Sequence, residues 1–224
     1  MAEEFNTDST LTTKELAKHL RQPDGERGKQ VGLQMNKGNK YICLNSYKVL
    51  NPKNGDHVLE IGMGNGFFIK DLLSMAQDMT YTGLDFSETM VQEATLLNKE
   101  FIEKGTVSFK QASIENLPFD DNSFDSITTT NTLYFWPNPA ANAKELLRVL
   151  KPGGKLLIGY RGKDCMDQLE LAKYNFEKYK IEDVENLINS AGFNKVVSEI
   201  IDEPELKFGG KVRQMKGIYT TGNK

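Results

Sequence analysis

A glycine-rich turn, Glu60-Ile61-Gly62-Met63-Gly64-Asn65-Gly66, narrows the architectures open to this chain more than anything else in it. It leaves a short apolar run, His57–Ile61, and enters a stretch with Phe68, Ile69, Leu72, Leu73 and Ala76 at helical spacing. A strand that breaks on glycines and opens a helix is the start of a βα unit. Such a turn lets a ligand approach the backbone closely, and the helix N-terminus favours negative charge. The same alternation continues downstream. Thr80–Phe86 reads as a second strand, and Ser87 as the N-cap of a helix with Met90, Val91, Ala94, Leu97 and Phe101 on one face, stopped by Gly105. Val107–Ala112, Phe124–Thr130 and Lys155–Tyr160 read as strands. Ala140–Leu150 and Ile181–Ala191 read as helices, the latter closed by Gly192.

Alternating strands and helices joined by short loops predict an α/β fold. The expected form is a Rossmann-like, doubly wound, seven-stranded sheet, mostly parallel and covered on both faces. Lys195–Ile201 and Arg213–Thr221 read as its last strands. Residues 202–212 between them read as a loop, so the last strand is expected to be antiparallel. Residues 1–50 precede this pattern. Helical spacing runs from Ser9 to Leu20, glycines at 25, 28 and 32 break regularity, and residues 39–50 read as a second helix. The division expected is an N-terminal helical cap or lid over 1–50 and a ligand-binding domain over 51–224. In such sheets ligands sit at the carboxyl ends of the strands, near the switch in strand order.

Composition removes several classes of function. With 224 residues, 38% hydrophobic and 26% charged, the chain suits a folded globular protein. Apolar runs do not exceed four residues, so no membrane span is expected. The Met-Ala-Glu-Glu start lacks the features of a signal peptide, and two cysteines exclude a disulfide framework; a cytoplasmic location is expected. A net charge of −3 does not suit nonspecific nucleic-acid binding. Asp120-Asp121 reads as a turn, and no metal site is expected. Lys14–Lys40 carries seven basic residues against three acids, and Leu206–Lys224 five against none. These stretches read as solvated faces or as surfaces that draw in an anionic small molecule.

The details around the turn bear on the ligand. NAD, FAD and S-adenosylmethionine sites all use a glycine-rich βα turn. A dinucleotide fingerprint asks for glycine at its sixth position, where this chain has Phe67. Glu60, two residues before the first glycine, suits an ammonium better than a pyrophosphate. Asp85, 19 residues after Gly66, can accept two hydrogen bonds from a ribose diol, and Phe86 and Met90 can pack on a purine. Tyr134 and Trp136 either line a substrate pocket or pack the sheet edge. Arg161 reads as a solvated arginine or as a clamp for a substrate carboxylate. His19, in the expected cap, and Tyr134 are the candidate proton acceptors. His57, before the first strand, reads as a surface residue.

Three further motifs follow in order: Gln111-Ala112-Ser113-Ile114-Glu115, Phe124-Asp125-Ser126-Ile127 leading to Asn131-Thr132-Leu133-Tyr134, and Leu150-Lys151-Pro152-Gly153-Gly154. With the glycine turn and Asp85 they cover residues 57–160. Together they resemble the class I S-adenosylmethionine-dependent methyltransferases, in the small-molecule (type 11-like) branch. The resemblance implies S-adenosyl-L-methionine as cofactor, S-adenosyl-L-homocysteine as product and a small-molecule methyl acceptor. Glu60 would face the methionine ammonium, Gly62 and Gly64 would bring backbone to the cofactor, and Asp85 would hold the ribose. Ser113 and Ile114 would border the adenine, and Asn131 would offer its carbonyl to the ammonium. Where the family often has an acid, this chain has Ser113. The alternatives are a noncatalytic nucleoside-binding or regulatory protein on the same fold, or a nucleic-acid or protein methyltransferase. The Pro-Pro-aromatic motif of amino-methylating nucleic-acid enzymes is absent after Thr130.

Overall fold

The computed structural model describes residues 3–5, 11–208 and 211–224. The strands are β1 (Glu3–Phe5), β2 (His57–Ile61), β3 (Thr80–Asp85), β4 (Val107–Gln111), β5 (Phe124–Thr130), β6 (Leu150–Tyr160), β7 (Asn194–Phe208) and β8 (Lys211–Asn223). The helices are α1 (Thr13–Arg21), α2 (Gly25–Gly38), α3 (Lys40–Leu50), α4 (Ile69–Leu73), α5 (Glu88–Leu97), α6 (Lys99–Glu103), α7 (Pro139–Val149), α8 (Lys163–Met166) and α9 (Ile181–Ala191). One mixed sheet has the order β1-β7-β8-β6-β5-β2-β3-β4. All neighbours are parallel except β8, which is antiparallel to both β6 and β7. The seven expected strands and the antiparallel last strand are therefore present. The chain steps outward from β2 to β4, then returns to place β5 on the other side of β2. That reversal puts the crevice at the ends of β2 and β5.

Local signals act where they were read. The Ser87 side chain accepts from Met90 N at 3.2 Å and starts α5. Asn138 caps α7 with Pro139 in its first turn, and Gly192, at φ 111°, closes α9. The central strands are buried on both faces: Leu59, Ile127, Leu156 and Ile158 have no exposed surface. Burial of this kind is the main favourable contribution to the fold.

Four elements differ from expectation. The three-residue β1 adds an eighth, edge strand, paired in parallel with β7. The stretch read as broken by glycines is the 14-residue helix α2. Glycine weakens a helix by about 1 kcal/mol relative to alanine, yet at Gly32 it permits close packing: a Cβ there would lie 3.2 Å from Met90 Sδ. Residues 202–208 and 211–212, read as loop, extend β7 and β8 into a long hairpin; residues 209 and 210 lie outside the described residues, as does Ser9. Pro204 cannot donate to the ladder, and the hairpin register shifts between Glu203 and Leu206 to pass it. The Lys151–Gly154 turn is the irregular start of β6.

The N-terminal helices are docked on the sheet domain. α1 opens with a capping box, Thr12 with Glu15. Leu16, Ala17 and Val31 join the large core cluster, and Ser87 Oγ donates to Pro23 O. α3 is deeper still, with Ile42, Tyr47 and Leu50 buried against the sheet. His57, at the start of β2, is half-buried rather than superficial, its Nε2 2.9 Å from Thr82 Oγ1. Among the described residues, no helix is long and apolar enough to cross a membrane, and no group of three or more His, Cys, Asp or Glu could hold a metal ion.

Candidate functional site

A cleft of about 210 Å³ opens at the carboxyl ends of β2, β3 and β5. Its floor is the glycine turn. Gly62 has φ 71°, and a Cβ there would lie 2.3 Å from Thr132 Cγ2, so only glycine fits. Gly64 has φ 58°, with open space where a side chain would be. Its N–H donates to Asp85 Oδ2 at 3.0 Å, while Ser87 N donates to Asp85 Oδ1 at 2.9 Å. Two backbone donors thus fix the carboxylate at the mouth of the turn. Burial nevertheless raises its pKa to about 6, only partly offset by those donors.

Glu60 is 5% exposed. The Tyr81 hydroxyl donates to its Oε2 at 2.8 Å, and the Tyr47 hydroxyl donates to the same oxygen at 2.9 Å. Burial raises the Glu60 pKa to about 7 against the opposing effect of these two phenols. Among the described residues, no cation pairs with it. A desolvated carboxylate facing a cleft is a ready partner for a ligand ammonium.

The cleft brings all nine expected cofactor residues together. Beyond those on the turn and Asp85, Phe86 and Met90 line it from the start of α5, Ser113 and Ile114 from beyond β4, and Asn131 from the end of β5. Asn131 has φ 57°; its Nδ2 donates to Asn39 Oδ1 at 3.1 Å, and its Oδ1 accepts from the Tyr134 hydroxyl at 3.0 Å. Trp136 also lines the cleft, with its indole N–H on Thr132 Oγ1. Ser113 Oγ donates to Glu115, an acid in the cleft wall that the sequence reading passed over.

The remaining candidates lie elsewhere. His19 is on α1 and does not line the cleft. Tyr134 stands behind Asn131, and burial pushes its pKa up, so its hydroxyl keeps its proton. Arg161 is not solvated: it is buried in an ion pair, Nη2 to Glu203 Oε2 at 2.7 Å. Tyr134 and Arg161 line a second cavity that adjoins the cleft. Of the basic stretches, Arg21 lines the cleft, Lys29 pairs with Glu93 at 3.1 Å, and Arg213 lines the second cavity.

Sequence reasoning missed Tyr47 and Tyr81, which stand 13 and 21 residues from Glu60 and join it only through packing. It also missed Gly32 of α2, which lines the cleft with Met35 and Asn36 of the same helix. Cys43 lines the cleft as a free thiol, and burial raises its pKa.

Residues 59–158 match the family model described as a methyltransferase domain. The uncharacterized methyltransferase YdaC of Bacillus subtilis (strain 168) is 31% identical over 142 residues, 63% of this chain and 74% of that protein. The O-methyltransferase cnsE of Penicillium expansum is 30% identical over 179 residues, 77% of this chain. The chain spans 64% of that relative's length. A solved S-adenosylmethionine-dependent methyltransferase from Aquifex aeolicus shares the fold, with a TM-score of 0.64 at 21% identity over 86% of this chain and 97% of that one.

Proposed function

The chain belongs to the class I S-adenosylmethionine-dependent methyltransferases, and on that premise we propose that it moves a methyl group to an O, N or C atom of a small-molecule acceptor by in-line displacement. The observation that carries this reading is the presence, in one cleft, of buried Glu60 and Asp85 beside the Gly62–Gly64 turn. When bound, S-adenosylmethionine supplies a sulfonium-activated methyl group. The chain's part is to hold and align. Glu60 carries charge toward the methionine ammonium, joined by the Asn131 carbonyl. Asp85 accepts from the ribose, and its backbone donors keep it oriented. Phe86, Met90, Ser113 and Ile114 flank the adenine. Alignment alone supplies about 7–11 kcal/mol of barrier lowering.

Tyr134 is not the base, because its raised pKa keeps it protonated, and His19 lies outside the cleft. The acceptor atom is therefore one already free to attack, or one whose proton passes to water. α1 and α2 act as the cap of this reading: residues between Leu20 and Asn39 roof the cleft and exclude water from the reacting groups. A cytoplasmic location, which the two free cysteines support, completes it.

Titration calorimetry with S-adenosylmethionine, S-adenosylhomocysteine and NADH tests the cofactor. Both sulfur nucleosides are expected to bind and NADH is not; NADH binding with silence from the other two overturns the reading. Transfer of labelled methyl to a panel of small acids, alcohols and amines tests turnover.

The raised carboxylate pKa values give a signed pH dependence. Glu60 has a higher pKa folded than its ordinary 4.5, so its contribution to stability is present below pH 4.5 and lost as pH rises to about 7. For the ligand-free protein, the loss over that window is on the order of 3 kcal/mol. Glu60→Gln lacks this term, so its stability relative to wild type rises by that amount between pH 4.5 and 7.5. Cofactor affinity runs the other way, because the ammonium selects ionised Glu60. It falls by up to about tenfold per pH unit below 7 in wild type, more steeply than in the variant. Denaturant melts and calorimetry across this range check both signs; parallel profiles for the two proteins refute the assignment.

A further inference from the structure

Two elements far apart in the chain bring a phenol to Glu60. Asn39, Cys43 and Tyr47, spaced four residues apart, line the cleft along one face of α3. Tyr81 comes from β3, where Gly83 stands directly opposite Glu60 in the register of β2 and β3. A Cβ at Gly83 would lie 3.0 Å from Tyr81 Cε1. The bare position beside Glu60 therefore leaves room for the Tyr81 ring to lean across to the carboxylate. Both tyrosines are buried.

The two phenols donate first to the same oxygen. Tyr81 reaches Oε2 at 2.8 Å and Tyr47 at 2.9 Å, whereas Oε1 receives only the longer arm of Tyr47, at 3.1 Å. A carboxylate oxygen accepts about two hydrogen bonds. Oε2 is thus filled, and Oε1 keeps capacity for a further donor.

We infer that Tyr47 and Tyr81 are positioning residues for the cofactor: they fix Glu60 so that Oε1 receives the ligand's ammonium, and the cleft thereby selects a nucleoside that carries a protonated amine. The inference rests on the methyltransferase reading above and adds how its ammonium site is built.

The chemistry of the donors supports it. An arginine or lysine in place of a phenol would orient Glu60 but cancel its charge, leaving little attraction for a ligand cation. Neutral donors orient the carboxylate and keep the negative charge. Burial favours the protonated acid, and the phenols oppose that, with the balance at a pKa of about 7. Burial, aided by the Glu60 charge, pushes both phenols up, so they stay protonated and remain donors. Cys43, the other titratable group on this face of α3, is pushed up by burial and stays a neutral thiol. Asp85, at the end of β3, faces Tyr81 and has a pKa of about 6; its ribose contact is common to ligands with and without an amine.

The test uses the full chain with S-adenosylhomocysteine and 5′-S-(3-carboxypropyl)-5′-thioadenosine, the same ligand without its amine. Calorimetry follows both from about pH 6 to about pH 8.5. Wild type is expected to favour S-adenosylhomocysteine at least about tenfold near neutral pH. Tyr47→Phe and Tyr81→Phe each remove one donor and are expected to move the loss of this preference upward by about one pH unit. The preference then falls about fivefold below wild type near pH 7 and approaches it near pH 8.5, while the amine-free ligand binds within about twofold throughout. The ligand's own titration is common to all the proteins and cancels from their ratio. Tyr160→Phe, which removes a buried phenol that meets Thr220 instead, is the control and is expected to keep the wild-type profile. In a Glu60→Gln background, Tyr81→Phe is expected to change the preference no further. Either phenol variant decides the matter if the other does not fold. Variants that keep the wild-type profile, or that weaken both ligands alike at every pH, overturn the positioning role. Equal affinity of wild type for the two ligands also overturns it and leaves the nucleoside site in place. Binding of neither ligand overturns the methyltransferase reading, and this inference with it.

Discussion

Asp85→Ala is expected to lower S-adenosylhomocysteine affinity by about 30- to 1000-fold, equivalent to roughly 2–4 kcal/mol for two charge-assisted hydrogen bonds to a ribose diol. The geometry explains why no neighbour compensates. Asp85 is held by Gly64 N and Ser87 N at the cleft wall, where, among the described residues, no second carboxylate shares its position. The same two bonds mean that the substitution reaches beyond the ligand. It leaves the glycine turn and the start of α5 without an acceptor, though it also removes a carboxylate whose raised pKa records a burial cost. Asp85→Asn separates these effects. Its amide oxygen can still accept from Gly64 or Ser87, so the ligand-free melting temperature is expected to recover more than the affinity does. Calorimetry and thermal melts on both variants read the two quantities. Wild-type affinity in Asp85→Ala would falsify the ribose assignment.

Glu203→Ala is expected to be the most destabilising single substitution outside the apolar core, by about 3–5 kcal/mol. The Arg161 and Glu203 side chains are 6% and 2% exposed. Removing the acid strands a guanidinium in a water-poor interior and leaves the Tyr219 hydroxyl without its partner. For a domain of this size that loss corresponds to a fall in Tm of roughly 6–20 °C. Glu199→Ala, at an exposed position on the same strand, is the control and is expected to change little. The double variant Arg161→Met, Glu203→Leu replaces the pair by apolar side chains and is expected to regain much of the loss, since the penalty comes from an unpaired charge rather than from lost volume. A Glu203→Ala protein that melts with the Glu199→Ala control shows that Arg161 reaches water.

The strands and caps around the cleft were legible because their signals are local. A turn needs glycine where its own φ is positive, a helix needs Ser87 where its own first N–H groups are bare, and β2 and the second half of β6 are largely apolar because both their faces are covered. These requirements are met within a few residues of where they arise. The α2 helix was hidden for the opposite reason. Its glycines lower local helix propensity, and the contact that offsets this, Gly32 against Met90, joins residues far apart in the chain. The β7–β8 hairpin was hidden by Pro204 and by polar residues, and it is held by pairing over its length rather than by an apolar pattern.

The amino-acid order by itself determined the α/β class and the antiparallel last strand, and the nine residues it singled out as a cofactor site come together in one cleft. Only the tertiary structure decided what the charged and phenolic groups do. Glu60 meets Tyr47 and Tyr81, and Arg161 meets Glu203 across 42 residues. Whether a carboxylate or a guanidinium is solvated, paired or poised for a ligand depends on which surfaces exclude water around it. That exclusion is a property of the packed chain and has no local period for a sequence to display.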